Sequence, residues 1–205
     1  MTREVVLVPG LWMPAAVMAM LAARLARHGY APRLFAYRGR SPFEANVERL
    51  ARFARESLEG RAAHFIGHSL GGVLILDALN RYPDIALATA VLLGAPVRGC
   101  HAGRRLASAA FGRWMLGACE SRWGHREARW QRREPLGVVA GTRPLGLGVA
   151  LGRLPGENDG VVCVDETAVD GMTARALLPE GHSMLIVSAR AGKLVERFLA
   201  SGRFD

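Results

Sequence analysis

Ser69 stands in a setting suited to nucleophilic attack. Gly67-His68-Ser69-Leu70-Gly71-Gly72 fits G-x-S-x-G with one further glycine. An apolar strand-like run, Ala63 to Gly67, precedes it, and a helix-forming run continues from Ser69 to Arg81. A nucleophilic hydroxyl must rise clear of a sheet on a very tight turn, and flanking glycines let neighbouring backbone approach without a side-chain clash. The amides that open the following helix, that of Leu70 first, point to where negative charge develops in acyl transfer. The competing reading is a serine that only caps a helix, a common use of this residue.

Serine at neutral pH is a poor nucleophile. It needs an adjacent base, and the base needs an acid that fixes its tautomer and stabilises the imidazolium. Of six histidines, His28 and His64 precede the nucleophile, and His101 and His125 lie in a long central interval. His68 adjoins Ser69, where packing or substrate contact suits it better than proton transfer. His182, in Gly181-His182-Ser183, sits in a glycine-flanked loop before the last helix, placed to reach back over the serine. The carboxylates available between the fifth strand and that loop are Glu157, Asp159, Asp165, Glu166, Asp170 and Glu180.

The elements that must hold these residues alternate along the chain. Strands are predicted at Val5–Val8, Arg33–Tyr37, Ala63–Gly67, Ala88–Leu93, Val138–Gly141 and Ala174–Leu178. Helices are predicted at Pro14–Arg27, Glu44–Leu58, Ser69–Arg81 and Met184–Leu199, from apolar residues at i, i+3, i+4 and i+7 and from their stop signals. Continuous apolar strands such as Val5-Val6-Leu7-Val8 imply burial on both faces. The alternation implies an α/β, doubly wound, mostly parallel sheet of about six strands with helices on both faces, in one domain over residues 1–205. Residues 97–135 break the rhythm, carry Trp114, Trp123 and Trp130, and read as a helical cap over the carboxyl ends of the strands.

Gly67 to Gly72, Pro9-Gly10-Leu11-Trp12, Gly94-Ala95-Pro96, Asn158-Asp159-Gly160 and Gly181-His182-Ser183 follow one another nearly the length of the chain. In that order they resemble the lipase and esterase branch of the α/β-hydrolase superfamily, its small bacterial members above all. The resemblance implies a minimal α/β-hydrolase fold and the order nucleophile, acid, base. It implies Ser69 as nucleophile, His182 as base and Asp159 as acid, with Asp165 and then Glu157 as the alternatives for the acid. It also implies an oxyanion hole made by the amides of Leu70 and Leu11. Many relatives have His-Gly where this chain has Pro9-Gly10; proline removes one donor but leaves the Leu11 amide.

Composition narrows the rest. Half of the 205 residues are hydrophobic and 22% are charged, which suits a globular chain. No secretory leader pattern is visible at the N-terminus, and a cytoplasmic location is expected. Cys100, Cys119 and Cys163 follow no metal-ligand spacing; neither a metal nor a cofactor is expected. The net charge of +9 comes from arginines spread along the chain, with Lys193 the only lysine, so no nucleic-acid partner is expected. The arginines and tryptophans of residues 97–135 leave room for weak contact with a membrane surface. Trp12, Met13 and His68 are the candidates for substrate contact. The expected activity is cleavage of a small-molecule carboxylic ester through an acyl-enzyme. Thioesterase, amidase or acyltransferase chemistry would use the same machinery, and a silent relative that binds an acyl ligand or a protein is the non-enzymatic alternative.

Overall fold

In the computed structural model, residues 3–116, 124–146 and 152–205 are described. Six strands form one sheet: β1 (Arg3–Val8), β2 (Tyr30–Leu34), β3 (Ala63–His68), β4 (Leu87–Leu93), β5 (Leu136–Gly141) and β6 (Ala174–Leu178). Their order is β2-β1-β3-β4-β5-β6, and every neighbouring pair is parallel.

The period-two alternation of the strands divides the core into two layers. Val6, Val8, Phe65 and Leu92 face α2 (Phe43–Leu58) and α3 (Leu70–Arg81). Val5, Leu7, Ile66 and Val91 face α1 (Ala19–Arg27) and α6 (Ala189–Ser201). Each fully buried side chain of this size is worth roughly 1.5–3 kcal/mol. The helices therefore pin the sheet from both sides, and central β3 is buried along its whole length.

Several boundaries differ from the sequence expectation, two of them for a clear physical reason. The second strand is Tyr30–Leu34, not Arg33–Tyr37. It contains Pro32, which cannot donate to a ladder; β2 is an edge strand, where that loss is tolerated. The final helix begins at Ala189, because Ser188 caps it by accepting from the Ala191 amide at 3.0 Å. The segment His182–Ile186 before it is a 3-10 turn.

The cap expected over residues 97–135 is helical at α4 (His101–Ala107) and α5 (Ala110–Leu116). Cys119 and Trp123 lie outside the described residues. Residues 124–135 run without helix toward β5. There Trp130 is a core residue whose indole donates to the Glu134 carbonyl at 2.8 Å.

The chain steps from β1 outward to β2, then returns across β1 to β3. Connections leaving in opposite directions open a crevice at the carboxyl ends of β1 and β3, the place where open α/β sheets bind ligands. Val8 pairs with Gly67 in register, so Pro9 to Trp12 emerge beside His68 and Ser69.

Candidate active site

Ser69 sits between β3 and α3 with φ 52° and ψ −125°, one of three described non-glycine residues at positive φ. Such a conformation costs on the order of 1–3 kcal/mol and persists only where the surroundings impose it. They do so here. The Ser69 amide donates to the Leu93 carbonyl at 2.9 Å, and its own carbonyl accepts from Gly72 at 2.9 Å. Gly71 must lack a side chain, since a Cβ would lie 2.3 Å from the carbonyl oxygens of both Val8 and Pro9. The Ser69 hydroxyl makes no capping bond to α3, which removes the simple capping account of this serine. Among the described residues the amides of Leu70 and Leu11 donate to no acceptor. The loop carrying Leu11 closes as a tight turn, with Met13 N donating to Gly10 O at 3.3 Å and Trp12 at φ 61°.

Asp159 and His182 meet from two separate loops. His182 Nδ1 lies 2.7 Å from Asp159 Oδ2, and the His182 amide donates to the Asp159 carbonyl at 2.9 Å. The other carboxylate oxygen, Oδ1, accepts from the amides of Val161 at 2.9 Å and Val162 at 2.8 Å. Both side chains are buried, the aspartate almost completely. A carboxylate only accepts, so the Nδ1 nitrogen carries the proton and Nε2 is left with the lone pair. Two amides and an imidazole replace the water that a buried carboxylate would otherwise lose. Asp165 and Glu157, the alternative acids, are both exposed, and neither bonds to His182.

Gly94, which opens the Gly94-Ala95-Pro96 motif after β4, has a role that only the structure reveals. It has φ +54°, and a Cβ there would lie 3.0 Å from Asp159 Oδ2 and 3.2 Å from His182 Nδ1. The Asp159–His182 pair rests directly on this backbone.

His68 is fully buried. Its Nε2 lies 3.0 Å from the His182 carbonyl, to which it must donate, and its Nδ1 has no partner. The two imidazole rings pack 4.6 Å apart. Burial first, and the neighbouring His182 second, hold the His68 pKa down to about 3, so this ring stays neutral beside the proposed base.

Ser69, His182 and the substrate-contact candidates Trp12, Met13 and His68 line one cavity of about 230 Å³. Its remaining described wall is mainly apolar, with Leu11, Leu106 and Leu116 among the large side chains. The Ser69 hydroxyl is hydrogen-bonded to no described residue.

A second cluster lies nearby. His101, Cys163 and Glu166 offer ligand atoms within 4.8 Å of one another. Their groups are already engaged: Glu166 accepts from the His101 amide and Nδ1, at 2.5 and 2.6 Å, and from the Cys163 amide at 2.8 Å. Burial and the adjacent carboxylate push the Cys163 thiol up to about 12. The cluster is accounted for as a staple between α4 and the 164–167 turn.

The fold and this constellation define an α/β-hydrolase. The model of the alpha/beta hydrolase family matches residues 5–199, and the chain belongs to that family. Among solved structures it is similar to the mature form of the lipase BlEst2 from Bacillus licheniformis, with TM-score 0.77 and 19% identity over 98% of this chain and 92% of that one. It is also similar to a monoacylglycerol lipase from Paleococcus ferrophilus, with TM-score 0.66 and 15% identity over 98% and 96% of the two chains. The metagenomic carboxyl esterase MGS0156 gives TM-score 0.64 and 21% identity over 88% and 64%. No curated protein matches the sequence.

Proposed function

We propose that the chain hydrolyses carboxylic esters through an acyl-enzyme on Ser69, with His182 as base and Asp159 as acid. The observation that carries this is the His182 Nδ1–Asp159 Oδ2 contact at 2.7 Å, with His182 and Ser69 lining the same cavity. His182 Nε2 takes the Ser69 proton as Oγ attacks the ester carbonyl. The oxyanion is received by the amides of Leu70 and Leu11, a donor of this kind being worth about 2.7–4 kcal/mol. As the tetrahedral intermediate collapses, the imidazolium returns its proton to the departing alkoxide. Water then enters, gives a proton to His182 and releases the acid by the same steps in reverse. The missing Ser69 hydrogen bond fits this reading, since catalytic hydrogen bonds of free enzymes commonly tighten only with substrate bound.

The apolar wall favours an apolar acyl group in the cavity, with Trp12 and Met13 beside it. Neighbours named as lipases and a carboxyl esterase support an ester over other acyl bonds. A fluorophosphonate probe tests the proposal: the wild type should label and Ser69→Ala should not. A panel of p-nitrophenyl esters and acyl-CoA thioesters then ranks ester against thioester. A folded wild type that neither labels nor turns over any of them is the binding protein without chemistry.

A further inference from the structure

Five of the eight large apolar side chains exposed among the described residues surround the cavity: Trp12, Phe111, Trp114, Leu145 and Met184. Trp12 lines it, Leu145 and Met184 adjoin the lining residues Gly146 and Ser183, and α5 carries Phe111 and Trp114 outward while its last residue, Leu116, faces in. Phe111 and Trp114 are 68% and 58% exposed, and their rings stack with centroids 5.7 Å apart. Apolar surface of this kind is usually covered by something.

The described loops beside the cavity mouth are rich in arginine, although the loop after β6 also carries Glu180. Residues 35–42, 101–116 and 142–146 follow β2, β4 and β5 at the carboxyl edge of the sheet. They contain Arg38, Arg40, Arg104, Arg105, Arg113 and Arg143 and no aspartate or glutamate. Arg40 lies over the Trp114 ring at 4.5 Å, so cation and aromatic face share one patch. Aromatic tips interleaved with arginines suit a bilayer interface, where rings sit at headgroup depth and cations meet lipid phosphates. We infer that this face docks on an anionic lipid surface and holds the cavity mouth against it. A second copy of the chain fits less well, because a self-complementary contact would bring like charges together.

Binding of full-length Ser69→Ala to vesicles tests the inference separately from hydrolysis. Co-sedimentation with vesicles of equimolar phosphatidylcholine and phosphatidylglycerol should exceed that with phosphatidylcholine alone by about tenfold or more. It should weaken as ionic strength rises toward about 1 M, where the screening length falls to roughly 3 Å. Adding Phe111→Ser and Trp114→Ser should lower binding about tenfold or more. The same pair in the Ser69-containing chain should leave turnover of a short, soluble p-nitrophenyl ester unchanged, since neither ring lines the cavity. Equal partition to both vesicle types, or unchanged binding in the double variant, would overturn the inference. So would a concentration-dependent dimer that the double variant abolishes, which would assign the patch to a second copy.

Discussion

Asp159→Asn isolates the geometry on which the proposed chemistry turns. Two amides, of Val161 and Val162, donate to Oδ1 at 2.9 and 2.8 Å. A carboxamide has one acceptor oxygen, and these two donors hold it in the Oδ1 position. The amide nitrogen then replaces Oδ2, which lies 2.7 Å from His182 Nδ1. Two N–H groups cannot face each other at that distance, so His182 must carry its proton on Nε2 and leave Nδ1 as acceptor. The nitrogen available to Ser69 becomes a donor and has no lone pair to receive its proton. An acid-to-amide change of this kind costs a serine triad roughly 10⁴ in kcat, or about 5.4 kcal/mol at 1.36 kcal/mol per decade. Shape and volume are nearly conserved, so KM and thermal stability should change little. Steady-state kinetics on a p-nitrophenyl ester, with a melting curve on the same sample, measure both. A folded variant with kcat within about tenfold of wild type would refute the role given to Asp159.

Relieving the backbone at Ser69, which has φ 52°, should stabilise the fold while removing the nucleophile. Ser69→Gly is expected to gain about 1 kcal/mol, or roughly 2–4 °C in melting temperature, and to lose probe labelling; a lower melting temperature would contradict the strain. Gly94→Ala forces a side chain into the left-handed region and against the acid–base pair. Differential scanning calorimetry should show a loss of about 1–2 kcal/mol, and kcat/KM should fall about ten- to a hundredfold; wild-type values would show that the pair does not rest on this backbone. His64 and His68 are both neutral when folded, their pKa values lowered by burial from 6.5 to about 4 and about 3. Below pH 6.5 the unfolded chain binds more protons, so stability falls as pH drops, by up to about 1.4 kcal/mol per pH unit for each histidine in the middle of that range. Urea unfolding at successive pH values between 6.5 and 4 should show that slope, and a flat profile would refute it.

The central strands and the serine turn are legible because they are written locally: continuous apolar runs for strands covered on both faces, and glycines wherever backbones must touch. Its glycine-flanked loop before the last helix nominates His182, whereas Asp159 is singled out among six carboxylates only through the family resemblance. Other features depend on partners distant in sequence. Pro32 disguises β2 until its edge position is known. Trp130 resembles its neighbours in composition, and only the assembled sheet makes it core while Trp114 is exposed. Gly94 becomes intelligible once Asp159 and His182 lie above it. The neutrality of His68 likewise comes from burial that only the assembled fold provides, against the opposing pull of a carbonyl contributed 114 residues later.

The strand order also bears on how the molecule is made. Ser69 leaves β3, whereas His182 follows β6, two strands beyond β4 across the sheet. Parallel neighbours joined by crossovers are slow to assemble, because distant segments must find one another before any ladder forms. On the proposed mechanism, a chain emerging from the ribosome stays chemically inert until the His182 loop has been synthesised and β6 has zipped into place. Recovery of ester cleavage after dilution from denaturant would report completion of the sheet, lagging behind any signal from α1 to α3 alone.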